Sequence, residues 1–146
     1  MQQSIKSSFI KGLKNGLEVS SKLIKTIIPF YIAVDLLAHT KLSVYLGTLF
    51  SPLMKPFGLS GKMAVAIISG YLVNLYAAIA ALVPLNPSWQ QITVVGLMTG
   101  ISHNLVVEGA ILHKTGVNAF FTIAFRIVVS IIAGFLLASF FRLTNG

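Results

Sequence analysis

MAVAIISGYLVNLYAAIAALVPL, Met63 to Leu85, runs for 23 residues without one charged side chain. At ~1.5 Å per residue a helix of that length measures about 35 Å, enough to cross the ~30 Å hydrocarbon layer of a bilayer unaided. The reading that follows is a transmembrane helix. Two later stretches behave alike, from about Gln91 to Leu112 and from about Ala119 to Phe141. The uncharged turn Asn86-Pro87-Ser88 separates the first two and leads to Trp89, an aromatic suited to anchoring at the membrane–water interface. The loop His113 to Asn118 precedes the last span, which ends at Arg142.

The sequence ahead of Met63 is less uniform. Residues 42 to 57, LSVYLGTLFSPLMKPF, are apolar but short and carry Pro52, Lys55 and Pro56. They fit a short crossing, a re-entrant segment or a surface helix. An earlier span, about Lys25 to His39, contains Pro29 and Asp35 and is short for a bilayer. In residues 4 to 25, Ile5, Phe9, Leu13 and Leu17 recur at helical spacing among lysines. That pattern predicts an amphipathic helix lying in the headgroup plane. Two regions are therefore expected: an interfacial helix over 1–25 and a transmembrane domain over 26–146. No cleavable signal peptide is expected, because the charged lead is long and no small-x-small site follows it.

Composition agrees with lipid as the solvent. Hydrophobic residues make up 55% of the chain and charged residues 10%, against about 25% charged in soluble domains. Three acidic side chains and eleven basic ones cannot hydrate a soluble surface. The fold class read from this is all-α: a polytopic integral protein of the cytoplasmic membrane, with four or five transmembrane helices plus the amino-terminal amphipathic helix. The net charge of +8 does not indicate nucleic acid. Lys6, Lys11, Lys14, Lys22 and Lys25 precede the first span, and Lys41, Lys55, Lys62 and Lys114 fall in connections. Charge so placed answers to topology and anionic headgroups. It favours a cytoplasmic amino end, a membrane-embedded 42–57 segment and an external Asn86–Trp89 turn. The absence of cysteine excludes disulfides and thiolate metal sites.

Polar residues inside the spans are the functional candidates. Gly96, Gly100, Asn104 and Glu108 recur at i, i+4, as do Ala66, Gly70, Asn74 and Ala78. The last span contributes Arg126, Ser130 and Gly134. Three stripes of small and polar residues can face one another, and such stripes also serve plain helix packing. Glu108 requires a partner, a proton or water, because a central charge costs about 2.5–3.5 kcal/mol to insert. Arg126 is the available cation and Asp35 the competing carboxylate. A buried pair would be structural, whereas a site lined by Asn74, Asn104 and Glu108 would hold a solute or ion. His103 adjoins Asn104 but points about 100° away around a continuous helix. No metal site, cofactor or nucleophile–base motif is read, so an enzyme is not expected.

The lead into Ile27-Ile28-Pro29, the turn GLSGKMA (Gly58 to Ala64), the Gly/Asn/Ala-rich span after it, and SHNLVVEG (Ser102 to Gly109) together resemble a Gate domain. This is the "nucleoside recognition" domain of concentrative nucleoside transporters, the membrane part of ferrous iron transporter B, and spore maturation proteins A and B. The resemblance covers nearly the whole chain. It implies a helical membrane unit that pairs with a second Gate unit, in the same protein or a partner, to form a permeation or recognition site. It carries over no individual ligand contact. The expected function is half of a small-solute transporter or channel, for a nucleoside-like solute or an ion, working as a homo-oligomer or beside another Gate-domain membrane protein. The rival is a non-transporting membrane interaction protein that assembles with such a partner.

Overall fold

The computed structural model describes residues 5–38 and 40–144, and every regular element within them is helical. Ser4 and His39, which bound two of the segments predicted above, lie outside the described residues. Helix α1, Ile5–Ala38, has 34 residues and continues through Pro29 without a break at residue 25. A proline inside a helix removes one backbone donor, which this helix tolerates. At about 51 Å it exceeds what the hydrocarbon layer needs. Residues 8–22 are exposed throughout, so its contacts with the bundle, made to Leu75–Leu82, Val83–Leu85 and Lys41–Met54, fall to its later part.

Helix α2, Lys41–Met54, runs back and ends in a 3-10 turn, Lys55–Phe57, closed by Gly58 at φ 68°. A second 3-10 turn, Gly61–Met63, leads into α3, Ala64–Leu72. Gly61 lies so close to α2 that a β-carbon there would collide with the Gly47 carbonyl. Only glycine permits that approach.

The stretch Met63 to Leu85 does not cross as one helix. The chain stops at Leu72, reverses at Val73-Asn74 and returns as α4, Leu75–Leu82, followed by the Val83–Leu85 turn. A β-carbon built on Gly70 would lie 3.0 Å from Cβ of Ala78. Eight residues along one continuous helix would separate them by about 12 Å. The segment is a helical hairpin. Its reversal is stabilised locally: the amides of Val73 and Asn74 both donate to the Ser69 carbonyl, and the Asn74 side chain accepts from the Ala77 amide at 2.9 Å as an N-cap. Ala66, Gly70, Ala77, Ala78 and Ala81 are small enough to let the two arms touch, and all are buried.

The stretch Gln91 to Leu112 is also interrupted. Helix α5, Trp89–Ser102, starts with a capping box between Ser88 and Gln91. It ends at His103, whose backbone is extended, and Asn104 adopts a left-handed conformation at φ 62° before α6, Leu105–Lys114. Helix α7, Ala119–Thr144, is continuous and packs antiparallel along α5 and α6. Trp89–His113, taken across its break, and Ala119–Thr144 are long and apolar enough to span a bilayer, while Gly61–Leu72 and Leu75–Leu85 are shorter apolar helices.

The core joins Met63, Ala66 and Ile67 of one hairpin arm to Ala81 and Leu82 of the other, over Val94, Val95, Met98 and Ala138. Gln91 Nε2 donates to the Gly58 carbonyl at 3.1 Å, Trp89 packs edge-on against Phe141 at 5.0 Å, and Arg142 hydrogen-bonds the Pro56 carbonyl. The loop bearing Lys55 and Lys62, the Asn86–Trp89 turn and the end of α7 therefore share one end of the bundle. This corrects the expectation that the Asn86–Trp89 turn faces away from that loop. The hairpin, by returning the chain to the end it came from, is the cause.

Candidate functional site

The hairpin tip meets the α5–α6 break at one place. The Asn104 amide donates to the Gly70 carbonyl at 3.2 Å, and a β-carbon on Gly70 would lie 2.6 Å from Cγ2 of Thr99. Gly70 is thus a point of close approach between the hairpin and α5. Helix interruptions leave backbone carbonyls and amides that hydrocarbon cannot satisfy, so such breaks persist only where protein or a polar cavity serves them.

Arg126 of α7 serves this one. Its Nε donates to the Ile101 carbonyl at 2.9 Å, and its Nη2 reaches the His103 carbonyl at 3.5 Å. Its remaining nitrogen pairs with Glu108, in the first turn of α6. The cation therefore faces the negative end of α5, and the carboxylate sits at the positive end of α6, each opposing the local helix dipole. Side-chain exposure of 22% for Arg126 and 37% for Glu108 places the pair at the edge of the bundle. Ser102 Oγ donates to the Arg126 carbonyl at 2.8 Å. One turn along α7, Ser130 donates to the Met98 carbonyl at 2.9 Å and shares a hydrogen bond with the Tyr71 hydroxyl, tying the hairpin to α7.

Of the residues singled out in the sequence, Asn74, His103, Asn104, Glu108 and Arg126 all lie at the hairpin reversal or the α5–α6 break, or pair across the break. Asn74 and Asn104 begin half-helices; neither projects from the middle of a continuous one. Asn74 caps its helix, whereas Asn104 supplies a left-handed backbone and no side-chain cap. His103 Nδ1 lies 3.1 Å from the Gly100 carbonyl. Asp35 sits on α1, and the described partners of Arg126 are Ile101, His103 and Glu108. Gly96 and Gly100 are exposed with open space around them, contrary to the inward stripe expected for this span. The face of α5 that packs inward is Val94, Val95, Met98, Thr99 and Ser102. Thr99, Ser102 and Tyr71 were not among the candidates; Val95, Thr99 and Ser102, at steps of four and three, are the trace of this face in the sequence. Among the described residues no group of three His, Asp or Glu side chains could hold a metal.

The sequence profile of the Gate family, described as "nucleoside recognition", matches residues 20–145. The chain belongs to the Gate family. A relative from Bacillus subtilis (strain 168), the "Uncharacterized membrane protein YvoD", is 35% identical over 123 residues, covering 84% of this chain. This Gate chain spans 39% of that relative's length. No solved structure shows significant similarity to it. The Gate match and this relative make the chain a membrane protein. They leave the roles of Glu108 and Arg126 to be argued from their geometry.

Proposed function

We propose that this chain is half of a small-solute transporter or channel in the cytoplasmic membrane, for a nucleoside-like solute or an ion, completed by a second copy or by another Gate-domain protein. The observation that carries the reading is the meeting of a re-entrant hairpin with an interrupted helix at Gly70 and Asn104. Interrupted helices place backbone dipoles at membrane depth, where transporters hold substrates and coupling ions between paired units. The uncapped start of α6 offers amides to an oxygen of the solute, and Glu108, four residues on, offers an acceptor. One unit lines only one side of such a pathway. Residues 26–146 form the Gate-like membrane domain, and the lysine-bearing lead over 1–25 meets headgroups.

With the hairpin counted as non-crossing, α1, α2, α5–α6 and α7 make four passes. Both termini and the Lys55–Lys62 loop then lie in the cytoplasm with most of the basic residues, leaving Lys41 and Lys114 outside, in keeping with the positive-inside rule. Uptake of radiolabelled nucleosides and monovalent cations into proteoliposomes tests the function. Flux above protein-free vesicles is expected, with loss in Glu108→Gln. No flux for any solute, with the protein assembled and stable, would reject transport.

A second reading is favoured by one observation: Glu108 and Arg126 satisfy each other within the chain. On that reading the pair only closes the helix break, and the protein acts as a membrane interaction partner. Glu108→Gln would then lower stability, and Arg126→Met added to it would restore stability, with no flux in any variant.

A further inference from the structure

We propose that Arg126 is a built-in counter-cation for the α5–α6 break, so that the break works without an inorganic coupling ion. The consequence for flux rests on the transport reading above; the cradle around the side chain rests on geometry alone. Interrupted membrane helices hold coupling cations at the carbonyl-bearing carboxyl end of a half-helix. The carboxyl end of α5 is such a place, and a side chain of α7 fills it.

Three oxygens, from both sides of the break, meet the three guanidinium nitrogens one to one. The Ile101 carbonyl accepts from Nε at 2.9 Å, the His103 carbonyl from Nη2 at 3.5 Å, and the Glu108 carboxylate pairs with Nη1. Nearby carbonyls have donors of their own: that of Gly100 faces His103 Nδ1 at 3.1 Å, and that of Met98 accepts from Ser130 Oγ at 2.9 Å. The backbone of Arg126 is tied to the same break, since Ser102 Oγ donates to its carbonyl at 2.8 Å. The guanidinium is thus held from both ends of its side chain.

Size and charge both argue against a metal ion joining it or standing in its place. Oxygens hydrogen-bonded to guanidinium nitrogens lie roughly 4 Å from its central carbon. A bare metal ion needs its oxygens at about 2.0–2.6 Å, so the cradle is too wide for one. A guanidinium is also a permanent cation, and a second positive charge beside it is strongly repelled where water is scarce. Glu108 is the carboxylate of the break, and Arg126 already neutralises it. Solute movement through this unit therefore draws on no sodium or potassium gradient at the break.

The test is chemical rescue of the full-length protein in neutral detergent. Arg126→Ala removes the guanidinium and leaves its cradle. Guanidinium chloride at millimolar concentration, far below denaturing levels, should raise the melting temperature of this variant saturably. At ten times its half-saturating concentration it should shift the folded-to-unfolded ratio about elevenfold. Sodium, potassium and tetramethylammonium chloride at equal concentration should not. The parent and Arg126→Lys, which carry their own cation, should respond to none of the four salts. Should Arg126→Ala not fold, Arg126→Ala with Glu108→Gln retains the two carbonyls, and guanidinium should still stabilise it, more weakly. No guanidinium response in a folded variant would overturn the proposal. A sodium or potassium response in the parent, or one in Arg126→Ala that matches guanidinium, would overturn it equally. In proteoliposomes, solute uptake by the parent should be the same with sodium, potassium or choline outside, and uptake that follows either metal gradient would overturn the proposal. No uptake at all would reject transport and leave the melting curves to decide the cradle.

Discussion

Arg126 reaches three groups on one helix break: the carbonyls of Ile101 and His103 and the carboxylate of Glu108. Removing the carboxylate leaves the guanidinium charged among apolar helices, and breaking a buried ion pair costs about 3–5 kcal/mol. The partial exposure of the pair puts Glu108→Gln at the lower end of that range. A detergent melting curve should show the loss, and adding Arg126→Met should recover part of it. Recovery should stop short of complete, because the two carbonyls then lose their donor. A Glu108→Gln protein that melts like the parent would remove the pair from the stability of the break. Gly70 is the second sensitive residue. A methyl group there would press on Cγ2 of Thr99 and on Ala78, so Gly70→Ala should destabilise by about 1–3 kcal/mol, as overpacking does. The same change at Gly100, which meets nothing within 4 Å, should cost the fold nothing by contact and slightly favour the helix.

At the scale of elements, the hairpin of α3 and α4 is the feature that sets the arrangement of the rest. It predicts that residues 60 and 88 face the same side of the membrane and that residue 115 faces the other. The chain has no native cysteine, so Ser60→Cys, Ser88→Cys and Thr115→Cys can be labelled singly with an impermeant maleimide in intact and permeabilised cells. Opposite accessibility of residues 60 and 88 would rule out the hairpin. The helical class, the apolar segments and the membrane setting were legible in the sequence, because each depends on composition and length. The reversal at Asn74 was not. An uncharged run of 23 residues has the same hydropathy whether it crosses or turns back, and only Asn74, an N-cap residue at its centre amid small residues, distinguishes the two. The break at Asn104 was hidden for the same reason. Its consequence was a misjudged face, since Gly96 and Gly100 share a stripe with Asn104 and Glu108 only if α5 and α6 are one helix. The Glu108–Arg126 pair was legible as one of two alternatives, the other being Asp35–Arg126, because a carboxylate within an apolar span of this chain has few cations to choose from.

For the whole molecule, the exposed Gly96 and Gly100 lie on a face of α5 that the described residues leave uncovered. If a partner packs there, Gly100→Leu should shift the assembly toward monomer in light-scattering measurements while leaving the unfolding free energy within about 1 kcal/mol of the parent. An assembly that persists unchanged would place the contact elsewhere, and a monomeric parent would refute pairing through a second copy. The re-entrant hairpin also has a consequence of parity. A segment that enters and leaves by one face adds nothing to the crossing tally, so the proposed unit has an even number of passes and ends where it began. Fusing two units head to tail therefore yields twins of the same orientation. An upside-down pair in one polypeptide demands a linker with an odd number of additional passes. Separate copies inserted into one membrane obey the same arithmetic: their symmetry axis stands upright, and both clefts open toward the same compartment.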